Sequence, residues 1–166
     1  MLQPVVRRTW VPRGQTPIQY SWDRRDRLSV ISAITASPQR RRLGLYFNLF
    51  DHNIIADDAQ PFVATLLVHF PKGIILVWDR WMVHRSAARQ LAQRFERRLA
   101  IEWLPAYAPE LNPDEQVWNR AKYADMANFI PDNVQHLARA VRQSLRRTRS
   151  QQPLLRSFFN HAELPL

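Results

Sequence analysis

The chain has 166 residues, enough for one domain with a buried core, and 46% of them are hydrophobic, which excludes a disordered chain. The formal net charge is +10, and 22 of the 24 basic residues are arginine, so a polyanion such as nucleic acid is the expected partner. The sequence has no cysteine, which excludes disulfides and thiolate metal sites, and no apolar run reaches the ~18 residues of a membrane span. We therefore expect a cytoplasmic protein that acts on DNA or RNA. An Arg-rich or ribosome-associated protein from a high-GC genome is the alternative.

The first third of the chain predicts a loop followed by a β-hairpin. Residues 1–26 contain three prolines and mixed charges, which favour a loop with at most a short strand. Residues 27–35 are rich in β-branched side chains and predict a buried strand. Residues 43–50 alternate with period two, which predicts the partner strand, with four apolar side chains on one face: Leu43, Leu45, Phe47 and Leu49.

The middle of the chain alternates predicted helices and strands. Asp57 or Asp58 can cap a helix that Pro71 and Gly73 end. The apolar run of 74–78 predicts a strand covered on both faces, and a helix is expected at about 84–98.

The last third predicts a strand at 101–104, a helix from Pro113 to about 127, and a helix opened by Asp132. The resulting order, β-β-α-β-α-β-α-α, predicts one α/β domain over residues 1–166, with helices packed on a mixed sheet. The crossover helices should make the later strands parallel.

Asp79 directly follows the apolar run of 74–78. Side chains at the carboxyl ends of strands project into the crevice where α/β sheets bind ligands, and a carboxylate there suits a hard divalent cation. An aspartate that only ends a strand or caps a turn is equally compatible with the spacing.

Glu115 lies in the stretch WLPAYAPELNPDEQVWN, where three prolines precede two adjacent acids. Asn112 can be the N-cap, Pro113 the first helical residue, and Glu115 the last member of a capping box. Capping does not explain the rigid, proline-rich approach to the helix, which would fix the position of one side chain relative to another group. Asp79 and Glu115 together would suit two-metal phosphoryl transfer, although such a site normally needs at least three carboxylates.

Two segments, WDRWMVHRS and WLPAYAPELNPDEQVWNRAK, resemble the catalytic core of bacterial insertion-sequence transposases of the Tc/mariner superfamily, specifically the insertion-sequence six-thirty group. The stretches VVRRTWVPRGQTP and DRLSVISAIT also resemble that group. The resemblance implies an RNase H-like fold and an Asp-Asp-Asp/Glu triad that holds two Mg²⁺ or Mn²⁺ ions. It also implies DNA cleavage at transposon ends and strand transfer into target DNA.

The resemblance assigns the second acid to Asp79 and the third to Glu115, rather than to Asp114 or Glu110. It places Asn112 and His84 in supporting positions. An ordinary side chain at the start of a helix is an equally good interpretation of His84. Many relatives carry asparagine where this chain has Arg80.

The same resemblance places the first acid in an Asp-Glu-x-Gly-like motif upstream of the segment that starts here at Met1, on a strand central to the sheet. We therefore expect the first acid, its strand and the family's upstream helix-turn-helix region to be missing. Asp23, Asp26 and Asp51 do not lie in such a motif. An upstream reading frame could supply the missing part.

Several arginines are predicted to contact DNA phosphates, and these contacts would give affinity rather than sequence selectivity: Arg7, Arg8, Arg13, Arg80, Arg85, Arg142 and Arg146. For the helix of 132–149 an ordinary solvated face is the other interpretation.

The expected function is that of a transposase core, a homodimer in the family, which acts on terminal inverted repeats and target DNA at the nucleoid. A non-catalytic DNA-binding fragment or decayed remnant is the alternative. An RNA–DNA hybrid nuclease is a more distant possibility that the proline-rich motif disfavours.

Overall fold

The computed structural model describes residues 8, 10–15 and 28–166, and its first element is the predicted hairpin. Strand β1 (Ser29–Ala36) pairs antiparallel with β2 (Leu43–Phe50), in the register Ser29↔Phe50 to Ala36↔Leu43. The period-two pattern explains the pairing, since Leu43 and Leu45 are buried on one face of β2. Most of the predicted N-terminal loop lies outside the described residues, which include a turn at Pro12–Gln15.

The predicted parallel pair is confirmed. Strand β3 (Ile74–Trp78) pairs parallel with β4 (Leu99–Trp103), and helix α2 (Met82–Arg94) connects them. Helix α2 both begins and ends earlier than expected. It ends at Arg94 because the chain turns at Phe95, whose N–H bonds to the Leu91 carbonyl.

One prediction for β3 is wrong. The strand was expected to be covered on both faces, but Ile75 is 73% exposed and Val77 is 54% exposed. The other face, which carries Ile74, Leu76 and Trp78, packs in the core with α1 (Ala56–His69) and α2. Within the described part of the chain, helices therefore cover only one face of this strand.

The helix starts differ from the sequence expectation at two places. In α1 the helix begins at Ala56, and Asp58 accepts a hydrogen bond from the Ile55 N–H (3.0 Å) from within the first turn, so neither Asp57 nor Asp58 is the N-cap. In α4 (Val134–Ser150) the N-cap is Asn133 rather than Asp132, since its side chain accepts from the His136 N–H (2.8 Å).

The C-terminal half forms a helical layer on the hairpin. Helix α3 (Pro113–Arg120) runs into a π-helical turn (Ala121–Asp125), and α4 is followed by α5 (Gln152–His161), which the sequence analysis missed. The signal for α5 was the stripe Leu154, Leu155, Phe158 and Phe159 behind a proline in the first turn. This layer packs on one face of β1 and β2, with Val117, Val141 and Leu155 fully buried.

Strand β1 lies between the two cores of the molecule. Its Ile31 packs with α1, α2 and β3, whereas Val30 and Ile34 pack against the helical layer of α3, α4 and α5. Among the described residues the strands form two separate ladders, β1–β2 and β3–β4. The fold is thus mixed α/β with small sheets and helices on both sides, as predicted, although its two strand pairs share a core without pairing with each other.

No helix in the described ranges is long and apolar enough to cross a membrane.

Candidate active site

Asp79 follows the last residue of β3 and is held by two hydrogen-bond donors. Its Oδ1 accepts from the backbone N–H of Trp81 (2.9 Å) and lies 2.6 Å from Nδ1 of His84, which donates when it carries the proton. The half-exposed carboxylate therefore has a fixed orientation at the carboxyl end of the strand. This is the position predicted for a ligand-binding acid.

His84 is fixed by aromatic contacts. Its ring stacks on Trp78, with 4.4 Å between centroids and an interplanar angle of 8°, and Trp81 meets it edge-on at 5.2 Å. A ring held in this way cannot rotate freely, so Nδ1 stays directed at Asp79. The predicted supporting position of His84 therefore corresponds to a direct contact with the predicted second acid.

The hydrogen bond from His84 is the main reason that the pKa of Asp79 lies below its usual range. The Trp81 N–H adds to this effect, and partial burial opposes it. Asp79 is therefore ionised at neutral pH, which is the state in which a carboxylate oxygen binds a hard cation.

The substitution His84→Phe is expected to raise the pKa of Asp79 towards its ordinary value, because phenylalanine keeps a ring against Trp78 but donates no hydrogen bond. Carboxyl ¹³C NMR titration of aspartate-labelled protein measures this shift. His136→Phe, which removes a different His–Asp contact (2.8 Å to Asp132), is the matched control and should leave Asp79 unchanged. An Asp79 titration that is identical in His84→Phe and the parent protein would contradict the assignment.

The approach to α3 shows what Asn112 does. Asn112 is the predicted N-cap, and its side chain accepts from the Asp114 N–H (3.1 Å). Its own N–H donates to the Pro109 carbonyl (3.0 Å), at the end of a 3₁₀ turn formed by Pro109–Leu111.

Glu115 does not complete a capping box, so this interpretation is wrong. The Asn112 N–H that a capping-box glutamate would bind is already taken by the Pro109 carbonyl. Within the described ranges the Glu115 carboxylate forms no hydrogen bond and no ion pair, and the residue is half-buried. The side chain therefore remains available for a ligand.

The neighbouring Asp114 is turned into the protein. Its Oδ2 accepts hydrogen bonds from Ser32 Oγ on β1 and from Trp118 Nε1 (3.1 Å), and its buried Oδ1 has no hydrogen-bond partner among the described residues. The pKa of Asp114 is raised to about 6, mainly by burial and also by the charge of Glu115, against the effect of the two hydrogen-bond donors.

The two adjacent acids therefore have different environments. The carboxylate of Asp114 is buried and attaches the start of α3 to β1, whereas Glu115, one residue later, makes no hydrogen bond or ion pair within the described ranges. This difference favours Glu115 over Asp114 as the acid that could bind a cation.

The convergence of Asp79 and Glu115 on one site stays a prediction. No hydrogen bond joins either acid to the other, and among residues 8, 10–15 and 28–166 no three His, Asp or Glu side chains are grouped so that they could hold a metal ion. Oxygen donors of the required chemistry are present at both positions, but the described residues supply two acids rather than a complete triad.

The predicted phosphate-contacting arginines are solvent-exposed wherever they are described: Arg8, Arg13, Arg80, Arg85, Arg142 and Arg146. Arg7 lies outside the described residues. Exposure permits contact with DNA but does not establish it.

The sequence analysis did not assign a role to Ser32 or to Asp114. The contact between them joins residues that are 82 positions apart, so no local pattern could indicate it. The only sequence signal was an acid beside the predicted ligand.

Comparison with known families identifies the domain. Residues 1–137 match the family described as DDE superfamily endonuclease. The chain belongs to this family. The expectation of a DDE endonuclease domain is thus confirmed. A search of curated protein sequences gave no match.

Two solved structures share the fold of this DDE domain. The Mos1 mariner paired end complex with Mn matches with a TM-score of 0.61 and 17% identity, over 99% of this chain and 49% of that chain. The Mos1 strand transfer complex matches with a TM-score of 0.60 and 16% identity, over 99% and 48%. The predicted RNase H-like fold is therefore confirmed, and the DDE chain spans about half the length of each of these proteins.

Proposed function

We propose that this chain is the catalytic part of a DNA transposase, of the bacterial insertion-sequence six-thirty group, that cleaves DNA at transposon ends and transfers the strand to target DNA. The family assignment supports a DDE transposase core. The observation that carries the proposal is the state of the two acids. Asp79 is ionised and oriented by His84, and Glu115 makes no hydrogen bond or ion pair with the described residues, although the carboxylate of its neighbour Asp114 is buried.

Asp79 and Glu115 would hold the divalent cations, Mg²⁺ or Mn²⁺. Two such ions would supply the positive charge that an in-line displacement at phosphorus requires. The Mos1 structure that shares the fold was solved with Mn. In this chain His84 keeps the Asp79 carboxylate oriented, and the attachment of Asp114 to Ser32 sets which face of α3 turns inward.

The first acid of the triad would come from a strand between β1 and β3 that is not among the described residues. Among the described residues the two strand pairs pack in one core without hydrogen bonds between them, and strand edges left unpaired by these residues favour the addition of a strand. Its acid would complete the set of three carboxylates that a two-metal site normally requires.

The partners would be terminal inverted repeats and target DNA, with the protein acting as a homodimer at the bacterial nucleoid. Of the two Mos1 structures that share the fold, one is a paired end complex and the other is a strand transfer complex. The net charge of +10 is compatible with a DNA partner.

Binding of Mn²⁺ to the chain tests the site itself. Asp79→Asn and Glu115→Gln are each expected to weaken Mn²⁺ binding by about tenfold or more, measured by isothermal titration calorimetry, because each removes a charged oxygen ligand. Glu110→Gln is the matched control, since it neutralises an exposed acid of the same segment, and it should leave the affinity unchanged. Equal affinities in Glu115→Gln and the parent chain would overturn the assignment of Glu115.

The alternative function, a non-catalytic DNA-binding fragment, is favoured by one observation: the described residues contain no group of three metal-binding side chains. Nicking of supercoiled plasmid in the presence of Mn²⁺ distinguishes a transposase core from a non-catalytic DNA-binding fragment. Nicking by this chain that Asp79→Asn and Glu115→Gln both abolish would refute the alternative. A chain that binds DNA and Mn²⁺ but leaves the plasmid intact would support it.

A further inference from the structure

A concave pocket lies between α2 and β4, close to the candidate active site. It has a volume of about 470 Å³ and is lined by Arg80, Arg85 and Arg89 above a floor of Ile101 and Trp103. Two small residues of α2, Ala88 and Ala92, leave the space open. The volume is within the ~300–1,000 Å³ of ordinary ligand pockets.

Two lining residues of the pocket, one on β4 and one just beyond β3, place it close to Asp79. Trp103 is paired in the parallel register with Trp78, the residue before Asp79, and Arg80 is the residue after it. The pocket therefore opens at the carboxyl ends of β3 and β4, where α/β sheets bind ligands.

No acidic residue of the described ranges neutralises the charge of the pocket. No acidic side chain is among its lining residues, and none of the three arginines forms an ion pair with any residue in the described ranges. A second concavity, beside α1, contains Asp57 together with Arg94, so single-sign charge is not a general property of the surface depressions. Three like charges around one cavity repel each other, and an anion would remove this cost.

Arg80 is already oriented for such an anion. Its Nε donates to the Leu104 carbonyl (3.2 Å), which leaves its other guanidinium N–H groups available. Arg85 and Arg89 are four residues apart on α2 and so project from the same side of the helix. Guanidinium groups in this arrangement match the geometry of phosphate oxygens.

The floor of the pocket indicates what is attached to the anion. The half-buried side chains of Ile101 and Trp103 provide an apolar surface, and an indole ring is a surface on which nucleobases stack. Free phosphate would use the arginines and leave this surface uncovered. A phosphate within a nucleic-acid strand uses both.

We propose that the pocket lined by Arg80, Arg85, Arg89 and Trp103 is a binding site for a backbone phosphate of the DNA strand that passes the Asp79 site, with the adjoining nucleoside against Trp103. The proposal rests on the proposed function for the identity of the nucleic acid as DNA. It assigns to Arg89 and Trp103 roles in binding that the sequence did not indicate, and it joins Arg80 and Arg85 in one subsite.

Equilibrium binding of the full 166-residue chain to a fluorescein-labelled DNA duplex with a single-stranded overhang tests the proposal, in buffer with EDTA and over a series of salt concentrations. The double substitution Arg85→Ala/Arg89→Ala is expected to weaken binding by about tenfold at low salt and to reduce the slope of log K against log salt by about one to two. Arg97→Ala/Arg98→Ala removes the same charge from exposed positions just beyond α2 and is the matched control, with less than about a threefold effect.

Equal losses of DNA affinity in the two double variants would show that only net charge affects binding, and this result would overturn the proposed phosphate-binding site. An unchanged affinity in Arg85→Ala/Arg89→Ala would also overturn it. Because the assay contains no metal, failure of the Asp79–Glu115 metal site would leave these results unaffected. Conversely, the Arg85→Ala/Arg89→Ala variant should keep the parent affinity for Mn²⁺, which separates loss of the pocket from loss of the metal site.

Discussion

Asp114 is expected to make the protein less stable as the pH rises, by about 2–3 kcal/mol between pH 4 and pH 7 or 8. Its folded-state pKa is raised to about 6 from an ordinary value of 3.8, and one pKa unit corresponds to about 1.4 kcal/mol. A raised folded pKa means that the folded state holds the proton more tightly than the unfolded state. The stabilisation is therefore complete below the unfolded pKa and is lost as the pH rises through the folded pKa.

The variant Asp114→Asn isolates this contribution. Asparagine has nearly the same shape, keeps an oxygen that accepts from Ser32 and Trp118, and carries no charge at any pH. We expect the free energy of unfolding of the parent, relative to that of Asp114→Asn, to fall by about 2–3 kcal/mol from pH 4 to pH 8. The variant is therefore more stable relative to the parent at pH 8 than at pH 4. Urea unfolding at a series of pH values, with EDTA present, gives this difference.

Ser32→Ala is the companion variant. Removing the Ser32 hydroxyl takes away one donor to the Asp114 carboxylate, which raises the pKa of Asp114 further and steepens the pH dependence. In Asp114→Asn the same serine substitution should leave the pH dependence unaltered. A parent–variant difference that stays constant from pH 4 to pH 8 would contradict the burial of the Asp114 carboxylate.

The position of Asp114 also explains how the rest of the site is oriented. A buried side chain at one position of the first turn of α3 determines which way its neighbours point, since adjacent residues on a helix lie about 100° apart. With Asp114 attached to Ser32 on β1, Glu115 is directed to a different side of the helix. Asp114 is therefore expected to position Glu115 rather than to compete with it for a cation.

Local patterns were sufficient to predict the strands that build the site. The bounds of β2 and β3 follow from period-two alternation and from a short apolar run, and both agree with the sequence expectation. The parallel pairing of β3 and β4 follows from the helix between them, because a crossover helix brings successive strands into parallel alignment. These features depend on residues that are close in sequence.

The features that were missed depend on contacts that the sequence does not display. The capping box at Asn112 looked complete, but the carbonyl of Pro109 takes the N–H that Glu115 would have bound. The exposure of Ile75 and Val77 could not be read from an apolar run, since the run indicates hydrophobicity and not which elements cover each face. The arginine pocket likewise depends on the packing of α2 beside β4.

The substitution Gly73→Ala is expected to destabilise the protein by about 2–5 kcal/mol, because two separate costs combine at this residue. Gly73 has φ of +102°, a conformation in which a side chain costs about 1–2 kcal/mol. In addition, a Cβ atom would lie 2.7 Å from the Arg98 carbonyl oxygen and 3.1 Å from the Arg98 Cα. These are backbone atoms, so the contact can be relieved only by moving β3 relative to β4.

The substitution Gly14→Ala allows the two costs to be measured separately. The φ of Gly14 is +87°, but no atom of the described residues lies within 4 Å of the position where a Cβ would be, so Gly14→Ala is expected to carry only the conformational cost of about 1–2 kcal/mol. Chemical denaturation of both variants at one pH measures the difference between them, which is the cost of the contact with Arg98. Equal destabilisation would show that the backbone at Arg98 moves freely. The Ile74 N–H bonds to the same Arg98 carbonyl (2.9 Å), at the start of the strand that ends beside Asp79. A larger loss of stability in Gly73→Ala would therefore show that the backbone is closely packed at this end of β3.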